Sequence, residues 1–233
     1  MKEMIKKQLR RLQRVVHPVD NIIDLSERVH IEREYISYMG LERTGRSREA
    51  LLSTLEKGCR ALDDLGIVYW LGRGTLLGWY RDGNFLPGEI DLDVDVYTDQ
   101  SLFAIVKHMP FEVMYVCSHQ KSGKFTQLVF LDPDNDVIFD LCFYENEGGE
   151  IVNRLAPGDF FLPASVPDNL KAIDIDSRSY PVPDPEWYCR YWYGDGWKTP
   201  KKYRDEWVSN YKTDCSGFKE MPDNELRLMK YYE

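Results

Sequence analysis

Residues 90–97 constrain the fold most, because apolar and acidic residues alternate there without interruption. The apolar residues of this segment are Ile90, Leu92, Val94 and Val96, and the acidic ones are Asp91, Asp93 and Asp95. Successive side chains of a β-strand point to opposite faces, so the pattern predicts a strand with one buried face and one acidic face. Asp is a poor strand former, and carboxylates this close raise one another's pKa unless a cation intervenes.

The acidic face has two interpretations. An edge strand can carry acidic side chains that prevent aggregation. Alternatively, the carboxylates bind a hard cation, since Mg²⁺ is typically held by one or two carboxylates together with substrate phosphates. A predicted strand at 67–71 runs into the turn Gly72-Arg73-Gly74-Thr75, which opens a short helix around 76–81. Such a turn offers backbone N–H groups to a phosphate, and with a nearby Asp-x-Asp strand it is the active-site layout of the nucleotidyltransferase fold.

The remaining pattern predicts an α+β protein with a mixed sheet of about five strands flanked by helices. The predicted helices cover 47–65, 99–108, a segment starting at Asp184-Pro185-Glu186 and a terminal segment at 221–232. The other predicted strands lie at 112–117, 125–131 and 137–144. Most of the 12 prolines fall between 157 and 200. We therefore expect a Pro-rich irregular C-terminal part that wraps the sheet.

Composition excludes several classes of protein. No apolar run approaches the length of a membrane-spanning helix, and the basic first residues lack the apolar region of a secretory signal. The five cysteines form no C-x-x-C pair, which argues against a disulfide framework and a thiolate zinc site and fits a reducing, cytoplasmic location. A net charge of −9 argues against nonspecific nucleic-acid binding.

The N-terminal segment differs from the rest in charge. Residues 1–16 carry six Lys and Arg residues against Glu3 alone, with apolar residues at helical spacing on the opposite side. The segment is predicted to be either a helix lying peripherally on an anionic membrane or a helix whose apolar face packs on the domain. We divide the chain into a basic amphipathic extension, 1–45, and a catalytic domain, 46–233.

Two stretches of the chain carry a resemblance to a known family. The segment WLGRGTLLGWYRDGNFLPGEIDLDVDVY (70–97) resembles the core motif of LicD/fukutin-type phosphotransferases, and PVPDPEWYCRYWYGDGWKTP (181–200) resembles the closing motif of that family. The resemblance implies a nucleotidyltransferase fold. It also implies transfer of a phospho-substituent, such as phosphocholine or ribitol phosphate, from a CDP-linked donor to a glycan or glycolipid acceptor.

Matched to the motif, Gly74 and Thr75 take the place of the phosphate-binding turn and Arg81 that of the family arginine. Asp91 and Asp93 take the place of the pair that holds Mg²⁺, with Mn²⁺ as the alternative metal. Pro87-Gly88-Glu89 departs from the usual Pro-Trp-Asp. Glu89 keeps a carboxylate that could accept the acceptor proton, while the missing aromatic changes the pocket. Asp95 matches no family role, and we expect a surface carboxylate at the strand end.

Asp140 is a further candidate for the site. It is the single charge in the apolar segment 137–143, and a charge there is costly to bury unless it is paired or metal-bound. Nucleotidyltransferase-fold enzymes commonly add a third carboxylate from a neighbouring strand. We therefore expect Asp140 beside Asp91 and Asp93 as a metal ligand or activator of the acceptor hydroxyl. The alternative is a buried salt bridge to an arginine.

Other candidates have both a functional and a structural interpretation. Arg81 can neutralise donor phosphates or pair with Asp82 or Glu89. Lys124, with Lys121, lies at a hairpin that could fold over a nucleotide, although turn lysines are commonly just solvated. Three residues of the closing motif either belong to the site or form a capped helix end with an aromatic beneath it; these are Tyr193, Gly194 and Trp197.

The predicted function is thus a Mg²⁺-dependent phosphotransferase that acts on a CDP-linked donor. One alternative within the same fold is transfer of a nucleoside monophosphate to an acceptor with release of pyrophosphate. A second is a catalytically inactive relative that acts as a binding subunit. The retained glycine turn and the Asp pair argue against the inactive relative.

Overall fold

The computed structural model describes residues 45–119, 124–154 and 159–200, with the backbone alone at 118–119 and also at 22–24 and 218–219. The predicted helices at 1–16 and 221–232 and the turn residue Lys121 lie outside the described residues, as does most of the proposed extension 1–45. Among the described helices, none has the length and apolar character needed to cross a bilayer.

Helices and strands alternate through the first half of the described chain. The helices are α1 (Arg48–Asp64), α2 (Arg73–Asp82), α3 (Leu102–His108) and α4 (Pro185–Tyr193), with a 3₁₀ turn at Asp195–Lys198. The strands are β1 (Ile22–Asp24), β2 (Val68–Leu71), β3 (Asp91–Tyr97), β4 (Glu112–His119), β5 (Lys124–Asp132), β6 (Val137–Phe143), β7 (Glu145–Glu147), β8 (Glu150–Asn153), β9 (Asp159–Pro163), β10 (Lys171–Ile175), β11 (Arg178–Val182) and β12 (Phe218–Lys219). The predicted α+β class is confirmed.

Strand β3 lies inside the central sheet. The six strands run in the order β1-β4-β5-β6-β3-β2, with β3 parallel to β6 and antiparallel to β2. Pairing on both sides rules out the interpretation of the acidic face as protection of a sheet edge, because β3 has no open edge to protect. The carboxylates on this strand therefore need another explanation.

Helix α1 covers the apolar face of the sheet. Ser47 caps the helix by accepting a hydrogen bond from the Ala50 N–H (3.2 Å), and Gly66 follows its end with φ +64°. A Cβ built on Gly58 would lie 2.4 Å from the Phe139 ring, so only glycine permits this approach of helix to sheet. Phe139 pairs in register with Leu92, which places the apolar side of β3 under α1. The acidic side of β3 consequently faces away from α1.

The region after residue 150 is more regular than the proline content indicates. Strands β7, β8, β9 and β12 form a four-stranded sheet, and β10 and β11 form a hairpin. Pro163 ends β9, and Pro181 lies in a two-stranded hairpin where a missing N–H removes no interior ladder bond. The strands are too short to leave a clear alternating pattern in the sequence.

A buried polar cluster at the end of β5 joins α1 to the sheet. Asp132 is buried and accepts hydrogen bonds from the Thr54 hydroxyl (2.8 Å), Lys57 (3.2 Å) and the Asn135 amide (2.8 Å). Burial alone would raise the pKa of Asp132, but these hydrogen bonds and one from the Asp134 N–H lower it below its ordinary value. A lowered pKa means that the folded protein favours the ionised carboxylate.

Asp132→Asn is therefore expected to reduce the free energy of unfolding by about 1–3 kcal/mol at pH 7. The contribution of Asp132 is present above the unfolded pKa of about 3.9 and is lost as the pH falls through the lower folded value. The difference between the two proteins should shrink below about pH 4. Urea unfolding at pH 7 and at pH 3.5 measures this. Asp134→Asn, an exposed neighbour of the same lysine, is the matched control and should change little.

Candidate active site

Three strands and one helix bring the predicted carboxylates together. Asp93 on β3 is the register partner of Asp140 on β6, and Asp91 is the partner of Ile138. Adjacent strands lie about 4.8 Å apart, so Asp93 and Asp140 stand side by side on the face away from α1. The Gln127 amide on β5 donates a hydrogen bond to Asp140, which is buried. The expected position of Asp140 beside Asp91 and Asp93 is observed, and its role stays a prediction.

The start of α2 is attached to Asp93 by three hydrogen bonds. The Gly72 N–H donates to the Asp93 carbonyl (3.2 Å), and the Asp93 N–H donates to the Thr75 hydroxyl (2.8 Å). The Gly74 N–H donates to the Asp93 carboxylate (3.2 Å). The turn thus holds both the backbone and the side chain of Asp93. Thr75 is buried, so its hydroxyl positions the strand in this structure.

Glu89 lies at the same turn. A Cβ built on Gly74 would lie 3.4 Å from the Asp93 carboxylate and 3.5 Å from that of Glu89. The absence of a side chain at Gly74 therefore leaves an opening between two carboxylates at the N-terminal end of a helix. A helix N-terminus favours negative groups, because its backbone N–H groups point at them.

The carboxylates perturb one another's protonation. Burial raises the pKa of Asp93 well above its ordinary value, and the charges of Asp91 and Asp140 raise it further, against a lowering effect of Arg73. Burial also raises the pKa of Glu89, as does the charge of Asp93, while hydrogen bonding with Asp91 opposes the rise. Carboxylates that share a site in this way favour either proton uptake or a bound cation. A raised pKa also suits a group that accepts a proton during catalysis.

The donor set fits a hard divalent cation that is completed by substrate. Asp91 and Asp93 offer oxygen ligands, and their crowding would be relieved by positive charge. Within the described ranges, no three His, Cys, Asp or Glu side chains converge on one point as a ready-made metal site. Mg²⁺ is usually held by one or two carboxylates together with phosphate oxygens and water.

Asp95 does not lie on the surface, and the expectation of a strand-end carboxylate is wrong. Its exposed fraction is 0%. One carboxylate oxygen accepts hydrogen bonds from the Tyr188 hydroxyl (2.8 Å), the Trp70 indole (3.0 Å) and the Tyr144 hydroxyl (3.4 Å). The other lies 3.4 Å from the Arg73 guanidinium. The sequence pattern placed Asp95 on the acidic face but could not show that helix α4 covers that end of the strand.

Arg73 was not predicted as a site residue at all. Its guanidinium is buried, donates to the Asn153 amide oxygen (2.6 Å) and to the Cys142 thiol, and lies 3.8 Å from Asp93. Burial alone would lower the pKa of Arg73, but Cys142 and the carboxylates of Asp95 and Asp93 raise it. Arg73 therefore supplies a permanent positive charge next to the carboxylates of Asp93 and Asp95. An arginine between two glycines in the turn was the available signal.

Two predicted substrate-binding residues lie away from the carboxylates. Arg81 is seven residues beyond Gly74 in α2, about 10 Å along the helix axis. It pairs with Asp82 (2.7 Å) and reaches the Trp197 carbonyl (3.5 Å). Lys124 lies five residues along β5 from Val129, the register partner of Asp140, which is roughly 16 Å. Lys124 forms an ion pair with Glu145 (3.0 Å). Contacts of Arg81 or Lys124 with the nucleotide donor stay predictions. Either contact requires a substrate long enough to span the distance from the carboxylates.

The closing motif forms α4 and the 3₁₀ turn after it. Asp184 caps the helix by accepting from the Trp187 N–H (2.9 Å), and Pro185 opens it, as predicted. Gly194 has φ +78°, and its N–H donates to the Arg190 carbonyl (2.8 Å). Trp197 is buried and stacks on Tyr80 with ring centroids 5.5 Å apart. Capping and aromatic packing thus account for this end of α4.

The mixed sheet, the glycine turn and the paired carboxylates together define a nucleotidyltransferase-type α+β domain. The family model described as LicD/FKTN/FKRP, nucleotidyltransferase domain, matches residues 66–184, from the end of α1 to the cap of α4. That match covers just over half of the chain. The chain belongs to the LicD/FKTN/FKRP family, which confirms the family resemblance; the match includes the core motif at 70–97 and ends at the start of the closing motif.

Individual relatives and solved structures share less than a third of their aligned residues with this chain. Proteins named ribitol-5-phosphate transferase FKTN are 29% identical over 108 residues in Mus musculus and over 109 residues in Homo sapiens. Each match covers 46% of this chain and 23% of the relative, so the matched part is about a quarter of those proteins. Two structures of the antibiotic-resistance factor ANT(2″)-Ia align with TM-scores of 0.43 and 0.41 at 14% and 15% identity. Both alignments cover 80% of this chain, and they cover 90% and 97% of those structures.

Proposed function

We propose that the protein transfers a phospho-substituent, such as ribitol phosphate or phosphocholine, from a CDP-linked donor to a hydroxyl of a glycan or glycolipid acceptor. The observation that carries the proposal is the position of Asp91 and Asp93 on an interior strand, against the Gly74 turn, in a member of the LicD/FKTN/FKRP family. The FKTN relatives are named for ribitol-5-phosphate transfer, and this supports the class of group transferred.

Asp91 and Asp93 would hold Mg²⁺, or Mn²⁺, against the donor pyrophosphate. When bound, the metal would stabilise negative charge on the phosphates and on the departing CMP. The Gly74 N–H donates to the Asp93 carboxylate at the opening beside Glu89, so it would orient the carboxylate that holds the metal. Arg73 balances the carboxylate charge from the buried side.

The reaction is a displacement at the phosphorus that carries the transferred group. The acceptor hydroxyl oxygen forms a bond to that phosphorus, and the bond between the phosphorus and the bridging oxygen of CMP breaks. The hydroxyl proton passes to a carboxylate, with Glu89 the candidate because burial raises its pKa and its carboxylate lies at the Gly74 opening. Asp140 is the alternative for this role or a third metal ligand. Cytoplasmic location and membrane contact through residues 1–16 remain part of the proposal.

Ligand binding is the first test. Thermal unfolding of the protein is recorded with CDP-ribitol, CDP-choline, CDP-glycerol and UDP-glucose, each with and without Mg²⁺. A ligand at 100 times its Kd stabilises the folded state by about 2.7 kcal/mol, which is readily measured. We expect stabilisation by one of the CDP compounds that requires Mg²⁺. Absence of stabilisation by every CDP compound would contradict the proposal.

Product analysis then separates the alternatives. With a donor labelled in the phosphate next to the transferred group, our proposal expects the label on the acceptor and unlabelled CMP in solution. Transfer of CMP from the same donor would instead place unlabelled CMP on the acceptor and release the label as free ribitol phosphate or phosphocholine. Binding without turnover on any acceptor would indicate an inactive family member that acts as a binding subunit.

Gly74→Ala tests the opening at the helix start. The added methyl group would sit at ordinary contact distance from Asp93 and Glu89, so the fold should tolerate it. Ala favours a helix over Gly by about 0.5–1 kcal/mol, and the melting temperature should stay the same or rise. Turnover should fall by about 10-fold to 100-fold, because the methyl group fills space that the donor phosphate needs.

Gly83→Ala is the matched control for Gly74→Ala. Gly83 ends α2 with φ +66° and has open space around it. Ala in this left-handed conformation costs about 1 kcal/mol, so the melting temperature should fall while turnover per folded molecule is unchanged. If Gly74→Ala kept full turnover, the opening would have no part in donor binding.

A further inference from the structure

Tyr188 of α4 reaches into the interior beneath the candidate site. Its exposed fraction is 0%, and its ring packs on Trp192 with centroids 6.0 Å apart. Its hydroxyl donates to the Asp95 carboxylate (2.8 Å) and accepts from the Arg73 N–H (3.3 Å). One hydroxyl group therefore joins α4, strand β3 and the first residue of α2.

The packing around this hydroxyl is tight. A Cβ built on Gly72 would lie 2.6 Å from the Asp95 carboxylate and 3.1 Å from the Tyr188 hydroxyl, so no larger residue fits there. Arg73 follows with φ +41°, a conformation that non-glycine residues rarely adopt. Such a conformation persists only where the surroundings hold it. The groups that hold Arg73 are Tyr188 at its N–H, Asn153 and Asp95 at its guanidinium, and the Trp192 ring at 5.2 Å.

The held turn leads directly to the reacting groups. Gly74, the residue after Arg73, donates to the Asp93 carboxylate, and Thr75 accepts from the Asp93 N–H. A change in the backbone at Arg73 must therefore move the Gly74 N–H relative to Asp93. Tyr188 itself is fully buried, so it cannot bind substrate in this structure.

We propose that Tyr188 is a positioning residue: its hydroxyl, held by Asp95, fixes the strained Arg73 backbone and thereby the Gly74 N–H against Asp93. This inference rests on the proposed function for its catalytic consequence. It assigns the closing motif a role in the site through Tyr188, which neither the sequence patterns nor the capping of α4 indicated. It also explains why Asp95 is buried, because the carboxylate orients the Tyr188 hydroxyl.

Tyr188→Phe tests the proposal, since it removes the hydroxyl and keeps the ring packing. Residues that support a metal ligand through hydrogen bonds are commonly worth about 10-fold to 100-fold in activity, and Tyr188 acts on Asp93 through Arg73 and Gly74. We expect kcat to fall by that factor, while the Kd for CDP measured without acceptor changes less than about threefold. Amide hydrogen exchange of the segment 72–75 should become faster, because the Arg73 N–H loses its acceptor.

Tyr69→Phe is the matched control. Tyr69 is also buried, and its hydroxyl also makes two hydrogen bonds, donating to Asp63 (3.1 Å) and accepting from Arg178 (3.2 Å). These bonds join Tyr69 on β2 to α1 and to β11, and neither involves a residue of the turn at 72–75. The Tyr69→Phe protein should lose a similar amount of thermal stability while keeping wild-type kcat and wild-type exchange at 72–75.

The outcomes separate this inference from the proposed function. Equal loss of kcat in both variants would mean that general destabilisation is responsible, and the positioning role would be wrong. Unchanged kcat in Tyr188→Phe would overturn it as well. If the wild-type protein turned over no CDP-linked donor, the proposed function would fail. Hydrogen exchange would then test the positioning role of Tyr188 by itself. Faster exchange at 72–75 in Tyr188→Phe but not in Tyr69→Phe supports that role, and equal exchange in the two variants overturns it.

Discussion

Asp93→Asn is expected to reduce turnover of the CDP-linked donor on the order of 10³-fold, the effect of losing a group that stabilises developing charge. The variant keeps an oxygen that can accept from the Gly74 N–H, so the turn should remain in place. Because burial and neighbouring charges raise the pKa of Asp93, its ionised form opposes folding at neutral pH. Asn is uncharged, and the metal-free melting temperature should be unchanged or higher. Thermal unfolding and steady-state turnover measure the two effects.

Asp91→Asn should give a similar loss of turnover, and both variants should lose the Mg²⁺-dependent part of CDP stabilisation. Asp99→Asn is the matched control, since Asp99 is an exposed carboxylate just beyond the end of β3. It should behave as the wild type in every assay. Near wild-type turnover in both Asp91→Asn and Asp93→Asn would rule out this pair as the metal site.

The carboxylate arrangement was predictable because local patterns encode it. Alternation in residues 90–97 fixes which side chains of β3 face the same way, and a single charge in the apolar segment 137–143 marks Asp140. The capping residue Ser47, the glycine after α1 and the Asp184-Pro185 start of α4 are likewise local signals. Each depends on residues a few positions apart, and the structure agrees with each.

The environment of Asp95 was not predictable, since it depends on contacts between distant parts of the chain. Tyr188 and Asp95 are 93 residues apart, and Arg73 and Asn153 are 80 residues apart. An alternating pattern states which face a side chain occupies but not what covers that face. The small sheets after residue 150 escaped prediction for a related reason. Their strands are two to five residues long, too short for alternation to stand out from the prolines around them.

Arg73→Leu is expected to lower the free energy of unfolding by about 3–5 kcal/mol, the range for removing one partner of a buried ion pair. The substitution leaves the buried Asp95 carboxylate without its cation and the Asn153 amide oxygen without its donor. It also removes the charge that opposes the raised pKa of Asp93. We therefore expect a loss of stability and a loss of Mg²⁺-dependent CDP binding. Urea unfolding measures the stability, and Mg²⁺-dependent CDP binding measures the site.

The size of this loss depends on burial, and two comparisons test that cause. Arg190 also contacts two acidic residues, Glu186 (3.2 Å) and Asp195 (3.5 Å), but all three are exposed. Arg190→Leu should therefore cost no more than about 1 kcal/mol. Combining Arg73→Leu with Asp95→Leu should recover part of the stability, because the double variant no longer buries the Asp95 charge without its cation. A loss below about 1 kcal/mol in Arg73→Leu, or strictly additive losses in the double variant, would mean that Arg73 and Asp95 do not act as a buried pair.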